Sequence, residues 1–555
     1  MRTKGLLLLT VMIMLFLSTR PIIASPSEPI IKMTNTGQII DLNWTSIPGS
    51  WGYNLYYADY SNPVLNKIDM GLSTKLQTTL SKNSTYYVAV KAYNGGGEGD
   101  YSNVIIIKGF TDQTNKIQYK YTDHIEFENL GDVTYTASID LNNDGFKDVV
   151  IMNCAPYAPW QDYETPFIFF INQGGTTFIE DDSFLSGEHP GMMNPLEWEV
   201  ADFNGDGKDD MLVIGTGYEK PPYLGEEAIL LLSENNGMYN ASDQLSSGLL
   251  GKNGAASFKH GMSIGDVDGD GDIDIFIISI FQQNVNELLI NDGTGNFTNH
   301  PEMLIDEELM GTWNILPAQK PNGVYINQWD SDFTDVDNDG DLDLIVGRNS
   351  APDQLFFNDG DGTFSNHIEL PTSSFYKKHA TEVYTIDIRS TDLNNDGHMD
   401  LILSQALFSM AGSGRHFQAL INDGDGKTFY DESYRIPVKE TNRFATHLLL
   451  EDINNDGHDD LIVNQHARYM GFTDQTNEVL FINDGSGYFN TLSEQEMNNL
   501  TFSWGGSTIC PIDMDNDGIK DFISTKVDKG EDYWKYKDNL GTITSTLMWF
   551  KGTLN

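Results

Sequence analysis

DLNNDGFKD (140–148) is the first of seven copies of one nine-residue pattern. The others are DFNGDGKDD (202–210), DVDGDGDID (266–274), DVDNDGDLD (335–343), DLNNDGHMD (392–400), DINNDGHDD (452–460) and DMDNDGIKD (513–521). All fit D-x-[DN]-x-D-G-x-x-D. Side-chain oxygens at loop positions 1, 3, 5 and 9, with a backbone carbonyl at 7, are the donor set of a hard cation such as Ca²⁺, and the glycine at 6 supplies the turn that aims them. One such loop on its own reads as a solvated acidic turn. Seven that keep all four ligand positions do not.

The expected ligands of the first loop are Asp140, Asn142, Asp144 and Asp148, with the Phe146 carbonyl. In the next two they are Asp202, Asn204, Asp206, Asp210 and the Lys208 carbonyl, then Asp266, Asp268, Asp270, Asp274 and the Asp272 carbonyl. The fourth has Asp335, Asp337, Asp339, Asp343 and the Asp341 carbonyl, and the fifth Asp392, Asn394, Asp396, Asp400 and the His398 carbonyl. The last two have Asp452, Asn454, Asp456, Asp460 with His458, and Asp513, Asp515, Asp517, Asp521 with Ile519. Up to seven Ca²⁺ are expected. Position 7 varies freely, as it should if only its backbone is used.

A helix-loop-helix calcium site begins with the same letters but needs a glutamate at position 12. Here that position holds Ile151, Val213, Ile277, Val346, Leu403, Val463 or Ser524. Each loop instead enters a short run of Val, Ile, Leu and Phe such as DVVIM or DLIVG, which predicts a strand. The loop therefore joins two strands.

Loop starts are 62, 64, 69, 57, 60 and 61 residues apart, enough for four short strands and their connections. After each of the first six loops comes an apolar strand, a glycine turn and an aromatic: FFINQGGTTF (169–178), LLLSENNGMY (230–239), LLINDGTGNF (288–297), LFFNDGDGTF (355–364), ALINDGDGKTF (419–429) and LFINDGSGYF (480–489). This second turn lacks the ligand spacing and reads as structural. The pattern resembles FG-GAP/VCBS repeats, similar to those of integrin alpha chains and of many secreted bacterial proteins. The resemblance covers about 117–555 and implies a seven-bladed β-propeller with calcium loops on one face. It implies no single function, because the fold carries adhesins, lectins and some enzymes. The seventh repeat ends a strand short at LMWFKGTLN (547–555), and HIEFEN (124–129) precedes the first repeat, so the N-terminal strand is expected to complete the last blade.

Residues 28–108 form a separate unit of short alternating strands that resembles a fibronectin type III domain, on Trp44, Tyr53, Leu80, Tyr86 and Ala92. Residues 109–116 read as a linker. The expected fold class is all-β: a β-sandwich followed by a seven-bladed propeller.

Residues 1–24, with Arg2 and Lys4 before the run Leu6–Leu17 and a cleavage site after Ala24, read as a secretory signal peptide. No second run of membrane length follows. The expected location is secreted or extracellular, or periplasmic in a Gram-negative bacterium. The net charge is −48, and −51 once a leader carrying Arg2, Lys4 and Arg20 is removed. That excludes nucleic acid as a partner. Twenty-four carboxylates stand at ligand positions, and seven Ca²⁺ would bring −51 to −37. Cys154 and Cys510 are expected either to bridge the closing seam of the ring or to remain separate buried thiols.

No zinc-protease, serine-hydrolase, Walker or dinucleotide motif is present, so no catalytic residue is assigned. Aromatics in the connections away from the calcium loops, including Tyr157, Trp160, Trp313, Tyr469 and Trp534, suit sugar rings or protein hot spots. All six arginines after the leader fall between the fourth and sixth repeats. Arg348, Arg415, Arg443 and Arg468, with His416 and His466, form a candidate docking sector for an acidic group. The expectation is a calcium-binding binding or adhesion protein for an extracellular glycan or protein. A polysaccharide lyase or hydrolase and a structural surface component are the alternatives.

Overall fold

The apolar runs after the loops become strands buried on both faces. In the computed structural model the described residues are 26–36, 39–59, 64–78, 85–99, 101–102, 105–108, 117–129, 132–154, 164–217, 225–234, 237–245, 258–280, 286–305, 328–379, 382–407, 415–437, 445–465, 480–491, 509–527 and 543–554. The expected leader (1–24) and linker (109–116) lie outside them. Among the described residues there is one α-helix, Ser374–His379, and no helix is long and apolar enough to cross a membrane. The chain divides into two compact units, Met1–Thr114 and Asn115–Asn555.

The first unit has a three-stranded sheet (Ile31–Thr36, Ile39–Trp44, Lys75–Thr78) and a five-stranded sheet built on Gly52–Asp59 and Thr85–Asn94. Trp44 from one sheet meets Tyr53 from the other edge-on, ring centroids 6.1 Å apart. Both are buried, as is Ala92, while Tyr86 is half-buried and Leu80 lies outside the described residues.

Among its described residues the second unit has seven sheets with four antiparallel strands in sequence order or, in the last, three and the N-terminal strand, numbered here in chain order, besides a two-stranded pairing of Thr165–Pro166 with Gly191–Met192. Sheet 1 runs Asp132–Ile139, Asp148–Cys154, Ile168–Asn172, Phe178–Glu180. The first two strands of the next sheets are Pro195–Ala201 and Asp210–Gly215 (sheet 2), Lys259–Gly265 and Asp274–Ser279 (sheet 3), and Gln328–Thr334 and Asp343–Arg348 (sheet 4). They are Val383–Thr391 and Asp400–Leu407 in sheet 5, Ala445–Glu451 and Asp460–Gln465 in sheet 6, and Ile509–Ile512 and Asp521–Val527 in sheet 7. Sheet 2 gains a fifth strand, Leu185–Ser186.

Alternation along each second strand sends neighbouring side chains into two different interfaces. Val150 and Met152 pack with Met211 and Val213 of sheet 2, whereas Val149 and Ile151 pack with Ile523 and Trp549 of sheet 7. Every consecutive pair of sheets shares such a cluster, and sheets 7 and 1 share one too, so the order of sheets closes on itself. Sheet 7 is completed by Ile117–Asn129, the segment that contains HIEFEN, which pairs with Ile543–Leu554 from Ile117 opposite Leu554 to Asn129 opposite Ile543.

The cross-seam disulfide is not formed. Cys510 is a buried free thiol near Ser138, and the Cys154 side chain lies outside the described residues. Ser138 pairs with Val149, five residues before Cys154 on the same strand. At about 3.3 Å per residue that separation is about 16 Å, well beyond the roughly 7 Å a bridge tolerates between Cα atoms.

Candidate metal centres and an axial charge cluster

Each nine-residue loop joins the first two strands of one sheet, and its backbone is shaped by its own acidic side chains. In all seven copies the position-6 glycine N–H donates to the position-1 carboxylate at 2.7–3.1 Å. The position-7 N–H donates to the position-5 carboxylate at 2.9–3.1 Å. Position 4 has a positive φ throughout and is always Asn or Gly, from Asn455 at 57° to Gly269 at 76°. These are the residues that tolerate a left-handed backbone. The pattern left that position open, although the restriction is visible in the seven copies.

The position-9 aspartate opens the second strand, is nearly or fully buried, and ties the loop down. Asp148 accepts the Leu141 N–H at 2.8 Å and the Asn172 N–H at 2.7 Å, and the other six copies repeat both bonds with their own residues. Burial pushes Asp148, Asp274, Asp343 and Asp400 up to about 7 and Asp460 up to about 8. A dication beside them would reverse that.

Position 2, always apolar, is buried in the interface with the following sheet, from Leu141 to Met514. In six of the seven copies its carbonyl is clasped from that sheet. Asn172, last residue of the third strand of sheet 1, donates its amide to the Met514 carbonyl of loop 7 at 2.8 Å and to Lys147 of its own loop at 3.1 Å. Asn291, Asn358, Asn422 and Asn483 repeat this on Phe203, Val267, Val336 and Leu393. In sheet 7 the equivalent residue is Gly552, and Tyr119 of the N-terminal strand bonds the Ile453 carbonyl instead at 3.2 Å. The second turn is structural, and its asparagine links neighbouring loops.

Three loops bring three carboxylates within 4.8 Å of one another: Asp266, Asp268 and Asp274; Asp335, Asp337 and Asp339; Asp513, Asp515 and Asp521. These are the copies with Asp at position 3. In the other four an asparagine offers a neutral amide oxygen there. Hard oxygen donors on a preformed turn fit a divalent cation.

The FG-GAP-like repeat model matches residues 140–213, 335–403, 392–463 and 452–524, and the FG-GAP repeat model matches 199–228. The chain carries FG-GAP repeats. Comparison with curated proteins finds no match. Among solved structures, the Dos1 propeller is 9% identical over 78% of this chain and 95% of its own, with a TM-score of 0.36. The FN5 domain of Drosophila Lar is 24% identical over 15% of this chain and 96% of its own, with a TM-score of 0.14.

Two members of the arginine sector, Arg348 and His416, have described side chains. Arg348, at the end of a second strand of the FG-GAP unit, is 8% exposed, because its Nε donates to the Pro352 carbonyl at 2.6 Å and its Nη2 lies 3.5 Å from Glu369. It braces its own connection. His416 stacks on Phe375 of the short helix, 5.3 Å between centroids and 17° between planes. The side chains of Arg415, Arg443, His466 and Arg468 lie outside the described residues, as do all the aromatics assigned to that face.

A second charged group, absent from the FG-GAP motif, lies on the innermost strands. Arg389 of sheet 5 has Nε 3.6 Å from Asp387 and Nη2 3.7 Å from Glu197 of sheet 2. His447 of sheet 6 has Nδ1 3.2 Å from Asp387 and its ring 4.5 Å from Trp198 of sheet 2. Asp330 of sheet 4 accepts the Ile388 N–H at 2.8 Å. Sheets that are not neighbours therefore meet across the ring. The clue in the sequence was charge at three and five residues before several loops, on strands otherwise read as core.

Proposed function

We propose that this chain is a secreted, calcium-stabilised binding or adhesion protein, made of a fibronectin type III-like module (28–108) and a seven-bladed FG-GAP propeller (117–555). The observation that carries the calcium reading is the set of seven loops whose carboxylates already fold the backbone around a common point, three of them with three carboxylate oxygens in reach of one ion. The ions would be held by the position 1, 3, 5 and 9 side chains and the position 7 carbonyl. Their contribution is charge neutralisation and folding energy.

The ligand would be an extracellular glycan or protein, bound on connections remote from the calcium loops. Arg415, Arg443 and Arg468 with His466 are kept as contributors, and Arg348 is not. The test is a glycan and extracellular-protein array probed with and without calcium, using wild type and an Arg415→Ala/Arg468→Ala double variant. Binding lost in the double variant with calcium-dependent stability intact supports the reading. Equal binding by both removes the arginine sector, and lyase or hydrolase turnover of any bound glycan would replace the binding reading with an enzymatic one.

A further inference from the structure

The axial cluster holds more negative charge than its partners balance. Sheet 2 contributes Glu197 and Glu199, sheet 4 contributes Asp330 and Asp332, and sheet 5 contributes Asp387. Facing them are the Arg389 guanidinium and the His447 ring, which burial holds toward its neutral form. Sheet 1 approaches with Tyr135, packed on Trp198 and His447, and sheet 3 with Gly261 and Ser263, the latter bonded to Ser331. His260 of sheet 3 lies behind, its Nδ1 at 3.1 Å from the Trp329 carbonyl.

Glu197 and Asp387 are 5% and 2% exposed, and Glu197 Oε2 and Asp387 Oδ1 have no hydrogen-bond donor among the described residues. Buried carboxylates this close cannot all ionise against one guanidinium without a large electrostatic cost. A bound cation is the poorer remedy here. No three of these oxygens lie close enough together to share an ion, and the guanidinium already occupies the approach to Glu197.

We propose that the cluster is a proton-operated lock on the ring: with a proton held on Glu197 or Asp330, the inner strands of sheets 2, 4, 5 and 6 stay drawn onto Arg389, and with both ionised they loosen. Burial and the neighbouring carboxylates raise Glu197 and Asp330 above the ordinary carboxylate range, and Glu199 and Asp332 are pushed up to about 7 and about 6. The folded state then binds more protons than the unfolded state. The lock's stabilisation is complete below the ordinary carboxylate range and is lost as pH rises through the raised values.

The experiment is thermal unfolding of the full chain from about pH 5.5 to about pH 8.5 in saturating calcium, for wild type, Glu197→Gln and Asp330→Asn, with the pH slope of stability read as protons released on unfolding. Each variant is expected to release about one proton fewer than wild type and to have a flatter profile. Variant profiles parallel to wild type overturn the proposal. If the variants do not fold, infrared spectra of wild type at neutral pH in saturating calcium decide it. A buried protonated carboxyl band that disappears on alkalinisation and survives in Glu226→Gln/Glu287→Gln, which lacks two other buried raised carboxyls, supports the lock, and its absence at neutral pH overturns it.

Discussion

Asparagine does two jobs here, and the second is one an aspartate could not do in its place. At position 4 of five loops it accepts a left-handed backbone, and at the end of five third strands its amide donates to two carbonyls at once. Asn422 shows what the clasp is worth. Replacing it by alanine leaves the buried carbonyl of Val336 and the partly buried one of Met399 without their donor, which costs about 1–3 kcal/mol. A lowered thermal midpoint with calcium saturating is the expected result. At position 4 the expectation is asymmetric. Asn143→Gly keeps the turn, whereas Asn143→Val places a β-branched residue at φ 59° and costs about 1–2 kcal/mol. Equal stability of the two variants would show that the backbone at that position is not held as described.

The loops form two groups that calcium titration should separate. Those starting at Asp266, Asp335 and Asp513 carry four ligand carboxylates, and the other four carry three. Affinity in oxygen-donor sites follows ligand charge. Isothermal titration should show three tighter sites and four weaker ones, the weaker near the 10⁻⁴ to 10⁻³ M range typical of extracellular modules, as an order of magnitude. Asp268→Asn should move one site from the tight to the weak group, and an unchanged stoichiometry of tight sites would refute the grouping.

The loops and hairpins were legible in sequence because their chemistry is local: nine residues fix the donor spacing, and a two-residue period fixes the strand. The role of position 2 and of the third-strand asparagine was not, because each acts on the neighbouring sheet, some 90 residues away for Asn291 and Phe203. Arg348 was misread for a related reason. Its exposure is set by the Pro352 carbonyl, and no property of the side chain alone reveals that bond.

At the scale of the whole unit, the ring is held by seven interfaces and by one pairing of its first and last strands. On the proposed reading, removing calcium restores repulsion in every loop at once. Excess chelator should therefore lower the melting temperature, and the loss should shrink as calcium is added back. An unchanged melting curve would mean that the ions contribute nothing to folding. Deleting residues 117–129 should expose the edge of Ile543–Leu554 and drive self-association, visible by light scattering, because an unpaired strand of that length is a template for another chain. The axial cluster also belongs to this scale. Glu197, Asp330, Arg389 and His447 come from four separate repeats, and only closure of the sheets assembles them.

The register of that last pairing has a mechanical consequence. Ile117 lies opposite Leu554, so the strand entering the unit and the strand leaving it have their outer ends side by side. A load pulling these two points apart would meet the ladder one rung at a time, peeling it like a zipper instead of shearing all its bonds together. In a single-molecule pulling experiment with handles at residues 117 and 554, sheet 7 should open first and at low force. Handles at residues 117 and 543, which lie on the two strands at opposite ends of the ladder, should need a much higher force. Tension on the molecule would thus be felt first at the seam where the ring is closed.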